Sequence, residues 1–145
     1  MGKVTVSIEI EASPEKVFDF VISDKMNELS KEWFEGKWTS EKPIRLGSTA
    51  HYAGLHKYNK GEEWNAEITE FTRNKRLTMF LKGANKKSHD QTNYYELEPT
   101  NKGTKVSYTM EYKAGKLLDA LVVKRMVERE DTKMLENMKK ALESS

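Results

Sequence analysis

The side chains of this 145-residue sequence best suited to chemistry are three histidines (His51, His56 and His89), six tyrosines and an arginine set among apolar neighbours. Imidazole titrates near neutrality and can act as a general base. His51 and His56 are five positions apart, so on one strand they would point to opposite faces and could not share a metal ion. Asp90 follows His89 directly, and neighbours on a strand face apart, so no carboxylate is expected to orient any of the three. Arg125 stands between Leu121, Val122 and Met126. A buried guanidinium must be paired, either with Glu128 one turn on or with a ligand carboxylate, enolate or phenolate. The competing reading lays its stem on apolar surface and its head in water. Tyr108 and Tyr112 can donate to a bound carbonyl or to the backbone.

Much other chemistry is excluded. With no cysteine there is no disulfide, thiolate nucleophile, cysteine-ligated zinc or iron–sulfur cluster. No serine sits in a Gly-x-Ser-x-Gly elbow. The eight glycines are scattered over turns and form neither a dinucleotide fingerprint nor a phosphate loop. We therefore assign no catalytic residue, no metal and no cofactor from sequence. Lys and Arg total 25 against 23 Asp and Glu, a net charge of +2, without the basic excess of a nucleic-acid binder. The basic turns Arg73-Asn74-Lys75-Arg76 and Lys82 to Lys87 read as solvated hairpin tips. No apolar run nears the ~20 residues of a membrane helix, and the alternation from Lys3 to Glu11 is not a leader peptide. Gly2 lacks the Ser or Thr that myristoylation wants where Val6 stands. A cytoplasmic protein without membrane insertion is expected.

These groups must be positioned by a definite order of elements. Val4, Val6, Ile8 and Ile10 alternate with Thr5, Ser7, Glu9 and Glu11, the period of a half-buried antiparallel strand. Ser13-Pro14-Glu15 starts a helix: a capping hydroxyl, a proline at the first position and an acid at the positive end of the dipole. Asp24 is expected to cap a second short helix carrying Met26, Leu29 and Trp33. From Gly36 the period becomes two, and turn residues frame strands near Lys37–Lys42, Ser48–Tyr58, Glu62–Phe71, Arg76–Lys82, Ser88–Glu98 and Thr104–Lys113. After Gly115 an unbroken run predicts a long helix with Leu117, Leu121, Leu135, Met138 and Leu142 on one stripe. Lys124, Arg125, Glu128 and Thr132 interrupt it near the same face. A length of 145 residues with 37% hydrophobic residues suits one domain over 1–145, with a core large enough to fold.

One sheet with one apolar face needs one large cover, and only the last helix is large enough. The expected fold is α+β: a seven-stranded curved antiparallel sheet wrapped around a long C-terminal helix, with two short helices between strands 1 and 2. Several segments carry a likeness in the same order: 8–18 (IEIEASPEKVF), Leu46-Gly47-Ser48, 66–71 (AEITEF) before Arg76-Leu77, 95–99 (YELEP), 103–106 (GTKV) and 135–143 (LENMKKALE). In these the chain resembles the START-related superfamily of helix-grip proteins, which includes polyketide cyclases and aromatases, plant allergens, lipid-transfer domains and activators of the Hsp90 chaperone. The resemblance implies a cavity between sheet and helix for an apolar or aromatic small molecule.

Trp64, Leu77, Met79, Tyr95, Tyr108, Met110 and Tyr112 are the expected walls, joined by Leu121, Arg125 and Glu128 from the helix. Leu81 is a further wall candidate. For each, the competing reading is plain core packing. The expected function is binding of a small hydrophobic ligand for carriage, sequestration or sensing by a monomer or weak homodimer. One alternative is a cyclase or aromatase in which Arg125, Tyr108 or a histidine gives acid–base help. The other is an interaction module similar to the chaperone activators.

Overall fold

The computed structural model describes residues 2–113 and 117–144, with backbone alone for 117–119. Gly115 and the side chain of Leu117, both used above to place the last helix, lie outside the described residues.

The alternation at the N-terminus forms β1 (Gly2–Ile10), with Val4 and Ile10 buried and the polar residues between them exposed. α1 (Pro14–Val21) begins as its residues dictate: the Ser13 hydroxyl accepts from the Lys16 amide at 3.3 Å, with Pro14 in the first turn. Its buried stripe is Val17, Phe18 and Val21. α2 (Asp24–Glu28) is one turn shorter than the apolar spacing suggests, and Trp33 lies beyond it. Its N-cap is Ser23, not Asp24, which sits inside the first turn. The Ser23 hydroxyl caps nothing and instead donates to the Phe20 carbonyl at 2.6 Å.

Six strands follow: β2 (Phe34–Trp38), β3 (Thr49–Gly54), β4 (Glu63–Thr72), β5 (Arg76–Gly83), β6 (Gln91–Pro99) and β7 (Thr104–Tyr112). All pair antiparallel in a single curled sheet of order β1-β7-β6-β5-β4-β3-β2. A bulge between Ile68 and Glu70 adds local bend and twist to β4. β2 starts three residues earlier than the expected 37–42. β3 ends at Gly54 rather than Tyr58 because Asn59 organises a loop: its side chain accepts from the His56 amide at 2.8 Å and donates to the Trp33 carbonyl at 3.0 Å. β6 likewise starts at Gln91, since the Ser88 hydroxyl is engaged by the Glu63 amide at 2.7 Å.

α3 (Leu117–Glu143) packs on β1. Lys139 Nζ donates to the Glu9 carbonyl, and the Glu11 amide donates to Glu143 Oε2, both at 2.8 Å. The expected stripe through Leu121 is a correction in extent: from 120 to 130 every residue is exposed or only half-buried, whatever its phase. Leu121 and Val122 are exposed, whereas Asp131, Met134, Leu135 and Met138 are buried. Asp131, Leu135, Met138 and Leu142 follow at spacings of four, three and four, which keeps them on one face. The core beneath is filled by Ile10, Val17, Phe18, Ile68, Leu77 and Val106 together with that helical face.

Candidate functional site

Residues of one phase on a strand share a face, so the inner face of the sheet builds a wall in rows. β5 contributes Leu77, Met79 and Leu81; β6 contributes Gln91, Asn93 and Tyr95; β7 contributes Tyr108 and Met110. Phe34 and Trp38 of β2 and Tyr52 of β3 close one side. Val21, Met26, Asn27 and Ser30 form a lid, and Asp131 and Met134 of α3 form the roof. Together they enclose a cavity of about 100 Å³. That is room for roughly three waters, and less than the ~150 Å³ that admits benzene. Four methionines among the walls, Met26, Met79, Met110 and Met134, supply side chains able to shift and enlarge it.

Tyr52 is held in place from two sides. Gly36 lies directly across from it on β2, and the ring takes the space that a side chain there would fill. Its hydroxyl reaches Asn27 Oδ1 at 3.2 Å and Met79 Sδ at 3.7 Å. Burial pushes its pKa up to about 12, so the phenol stays neutral. Tyr95 and Tyr108 are a cross-strand pair with ring centroids 4.7 Å apart and tilted by 49°. Burial raises both pKa values further still.

Asp131 is the one ionisable carboxylate on this wall. It is 6% exposed, and its Oδ2 is buried with no hydrogen-bond partner among the described residues. Burial, with a smaller push from the neighbouring Glu130, raises its pKa to about 7. Lysine, arginine and histidine are absent from the cavity lining among the described residues. Ser30, Phe34, Asp131 and Met134 also line an outer cleft of about 70 Å³, so Asp131 stands at the boundary of both spaces.

Of the residues expected from sequence, Leu77, Met79, Leu81, Tyr95, Tyr108 and Met110 come together here. Trp64 shares their face but closes the far end of the sheet: its indole donates to the His89 carbonyl at 2.9 Å and its ring meets Phe34 edge-on. Tyr112 is buried against Gly2 on the edge strand, away from the cavity. Leu121, Arg125 and Glu128 are corrections: all three are exposed and none lines the cavity, and Arg125 and Glu128 flank a shallow surface groove on α3. Phase alone does not separate them: Leu121 lies two heptads before Leu135 and Glu128 one, and Lys124, one heptad before Asp131, is exposed as well, so full burial along this part of α3 begins only at Asp131.

A carboxylate does stand beside one histidine, contrary to the sequence expectation. Glu63 Oε1 lies 3.2 Å from His51 Nε2, brought there by the β3–β4 register. The pair is outside the cavity. His56 is stacked on Trp33 at 3.9 Å. Missed were the cavity residues of α1, α2, β2 and α3, together with Ser30, Tyr52, Gln91 and Asn93; the polar ones among them are Asn27, Ser30, Tyr52, Gln91, Asn93 and Asp131. For Asp131 a signal existed: it precedes Leu135 by four and Met138 by seven, the spacing of the buried face.

Among the described residues no group of three or more His, Asp or Glu side chains is placed to hold a metal ion, and no helix is long and apolar enough to cross a membrane. No curated protein matches the chain. Solved structures do. The protein TTHA0849 from Thermus thermophilus superposes with a TM-score of 0.78 at 16% identity, over 99% of this chain and 98% of that one. CV1439 from Chromobacterium violaceum gives 0.71 at 14% identity, covering 97% of each chain. The Aha1 dimer from Colwellia psychrerythraea gives 0.69 at 20% identity, over 98% of this chain and 96% of that one. All three share the helix-grip architecture of a curved sheet around a long terminal helix. The family model described as polyketide cyclase / dehydrase and lipid transport matches residues 1–143, and the chain belongs to that family.

Proposed function

We propose that the chain binds a small, largely apolar molecule in the cavity between the sheet and α3, for carriage, sequestration or sensing. The observation that supports this most is a pocket with adaptable apolar walls and an unsatisfied polar group, Asp131 Oδ2, on its lining. A core that only packs satisfies its buried polar atoms, while ligand sites pair apolar walls with a few placed polar groups. The family, with its lipid-transport and cyclase members, fits the same reading. Asn27, Phe34 and Trp38 separate the cavity from an open groove of about 700 Å³ beside α2 and β2, which offers a way in.

The test is native mass spectrometry of the purified protein, followed by thermal-shift and ¹H–¹⁵N spectral titration with toluene, butan-1-ol and butylamine. A bound compound should stabilise the fold by about 2.7 kcal/mol at a hundredfold excess over its Kd and shift amides of Met79, Tyr95 and Tyr108. No binding by any probe, to the wild type or to a Met134→Ala variant with a larger cavity, would overturn the reading.

A second reading is catalysis of the cyclase kind in the same cavity. The observation favouring it is that Asp131, with a pKa raised to about 7, is matched to acid–base work at neutral pH. Asp131 would then take the role that the sequence suggested for Arg125.

A further inference from the structure

We propose that the ligand carries a basic nitrogen on an apolar body, and that its ammonium docks on Asp131. This rests on the cavity being a binding site and adds the chemical class of what it takes. Three observations carry it.

First, Asp131 is buried on the centre of the inward face of α3 and its Oδ2 lacks a partner among the described residues. An orphaned carboxylate oxygen in an apolar site costs free energy until a donor reaches it. Second, no cationic side chain lines the cavity among the described residues. An anionic ligand such as a fatty-acid carboxylate would meet like charge and no counter-charge, whereas a cationic one would be paired. Third, the cavity that Asp131 borders carries three phenols, Tyr52 from β3, Tyr95 from β6 and Tyr108 from β7, and Tyr95 and Tyr108 are near enough to Asp131 for its charge to raise their pKa values. All three have raised pKa values and stay neutral, and aromatic rings favour a cation beside them. Glu130 on the same helix adds negative potential. Lys133, which shares the outer cleft with Asp131, is turned to Glu32 at 3.8 Å.

The size of the cavity suits a primary amine on a short chain or small ring, growing as the methionines yield. Ion pairing also fixes a sign for pH. An alkylamine stays protonated up to about pH 10, like lysine. Asp131, whose folded pKa is about 7, is neutral below that value and charged above it. Amine affinity must therefore rise between about pH 6 and about pH 8, while a ligand that accepts a hydrogen bond from the protonated carboxyl would lose affinity over that window.

The experiment titrates butylamine, butan-1-ol and sodium butyrate into the wild type and Asp131→Asn, followed by ¹H–¹⁵N spectra at about pH 6 and about pH 8. We expect butylamine to bind about tenfold more tightly than butan-1-ol at the higher pH, as a charge-assisted hydrogen bond allows. That preference should shrink at the lower pH and vanish in Asp131→Asn, with butyrate the weakest of the three in the wild type at the higher pH. If the alcohol binds as well as the amine, or if Asp131→Asn leaves the preference intact, the amine inference falls while the cavity reading stands. If no probe binds either protein, both fall.

Discussion

The ring of Tyr52 fills the place of a side chain on Gly36. A Cβ added to Gly36 would lie 2.3 Å from Tyr52 Cε1 and 2.6 Å from Cδ1. The two residues are opposite each other on β2 and β3, and Gly36 stands on the face between Phe34 and Trp38. Only a hydrogen lets the phenol cross β2 and bring its hydroxyl to Asn27.

Gly36→Ala should therefore displace Tyr52 and destabilise the fold by about 1–3 kcal/mol, the usual cost of overpacking. Tyr52→Ala alone removes a ring and also destabilises. In the double variant the two losses should be strongly less than additive, because the clash is gone. Urea unfolding of the four proteins measures this. Simple additivity would mean the ring and the glycine are not coupled.

Asp131 makes stability depend on pH. Its pKa is raised from 3.8 to about 7, so the folded state binds the proton more tightly than the unfolded state. The resulting stability is fully present below about pH 4 and is lost as pH rises through about 7. The loss is on the order of 4 kcal/mol for a fully realised shift. Asp131→Asn should flatten this slope, so the difference between variant and wild type grows in the variant's favour from pH 4 to pH 8. Denaturant unfolding across that range checks it; parallel curves would show that Asp131 does not titrate as described.

Trp64→Phe should separate folding from binding. The substitution loses the indole donor to the His89 carbonyl, leaving that acceptor to water or unpaired, at a cost of about 1–3 kcal/mol. Because Trp64 does not border the cavity, the affinity for any probe that binds should stay within about twofold of wild type. Tyr108→Ala, on the cavity wall, should change affinity as well as stability. Titration and thermal unfolding of both variants distinguish the two roles.

The fold was legible where one period ran uninterrupted. Val4 to Ile10 and Val106 to Tyr112 alternate cleanly, and they pair with each other residue by residue. Ser13 and Pro14 mark a helix start by local chemistry alone. The same period of two placed Leu77, Met79, Tyr95, Tyr108 and Met110 on one face, and the sheet brings them to one cavity. The helical half of the site was hidden because composition and burial disagree. Leu121 and Val122 are apolar yet exposed, while Asp131 ends the charged run 128–131 and is buried. Tyr52 was hidden for another reason. Its face depends on where β3 ends, and that end is fixed by Asn59, whose side chain ties two distant carbonyl and amide groups into a loop.

The place of β1 in the sheet also sets an order of events during synthesis. Among the described residues its one strand neighbour is β7, and its helical cover is α3, so of the sheet's strands the earliest made waits for the latest. At ordinary translation rates the ~90 residues between Ile10 and Thr104 take on the order of ten seconds to emerge. Through that interval Lys3, Glu9 and Glu11 act as gatekeepers on an unpaired strand, the kind of charged decoration that keeps an open edge from joining another chain. Burying Val4 and Ile10 between β7 and α3 then ends the exposure in one closing step.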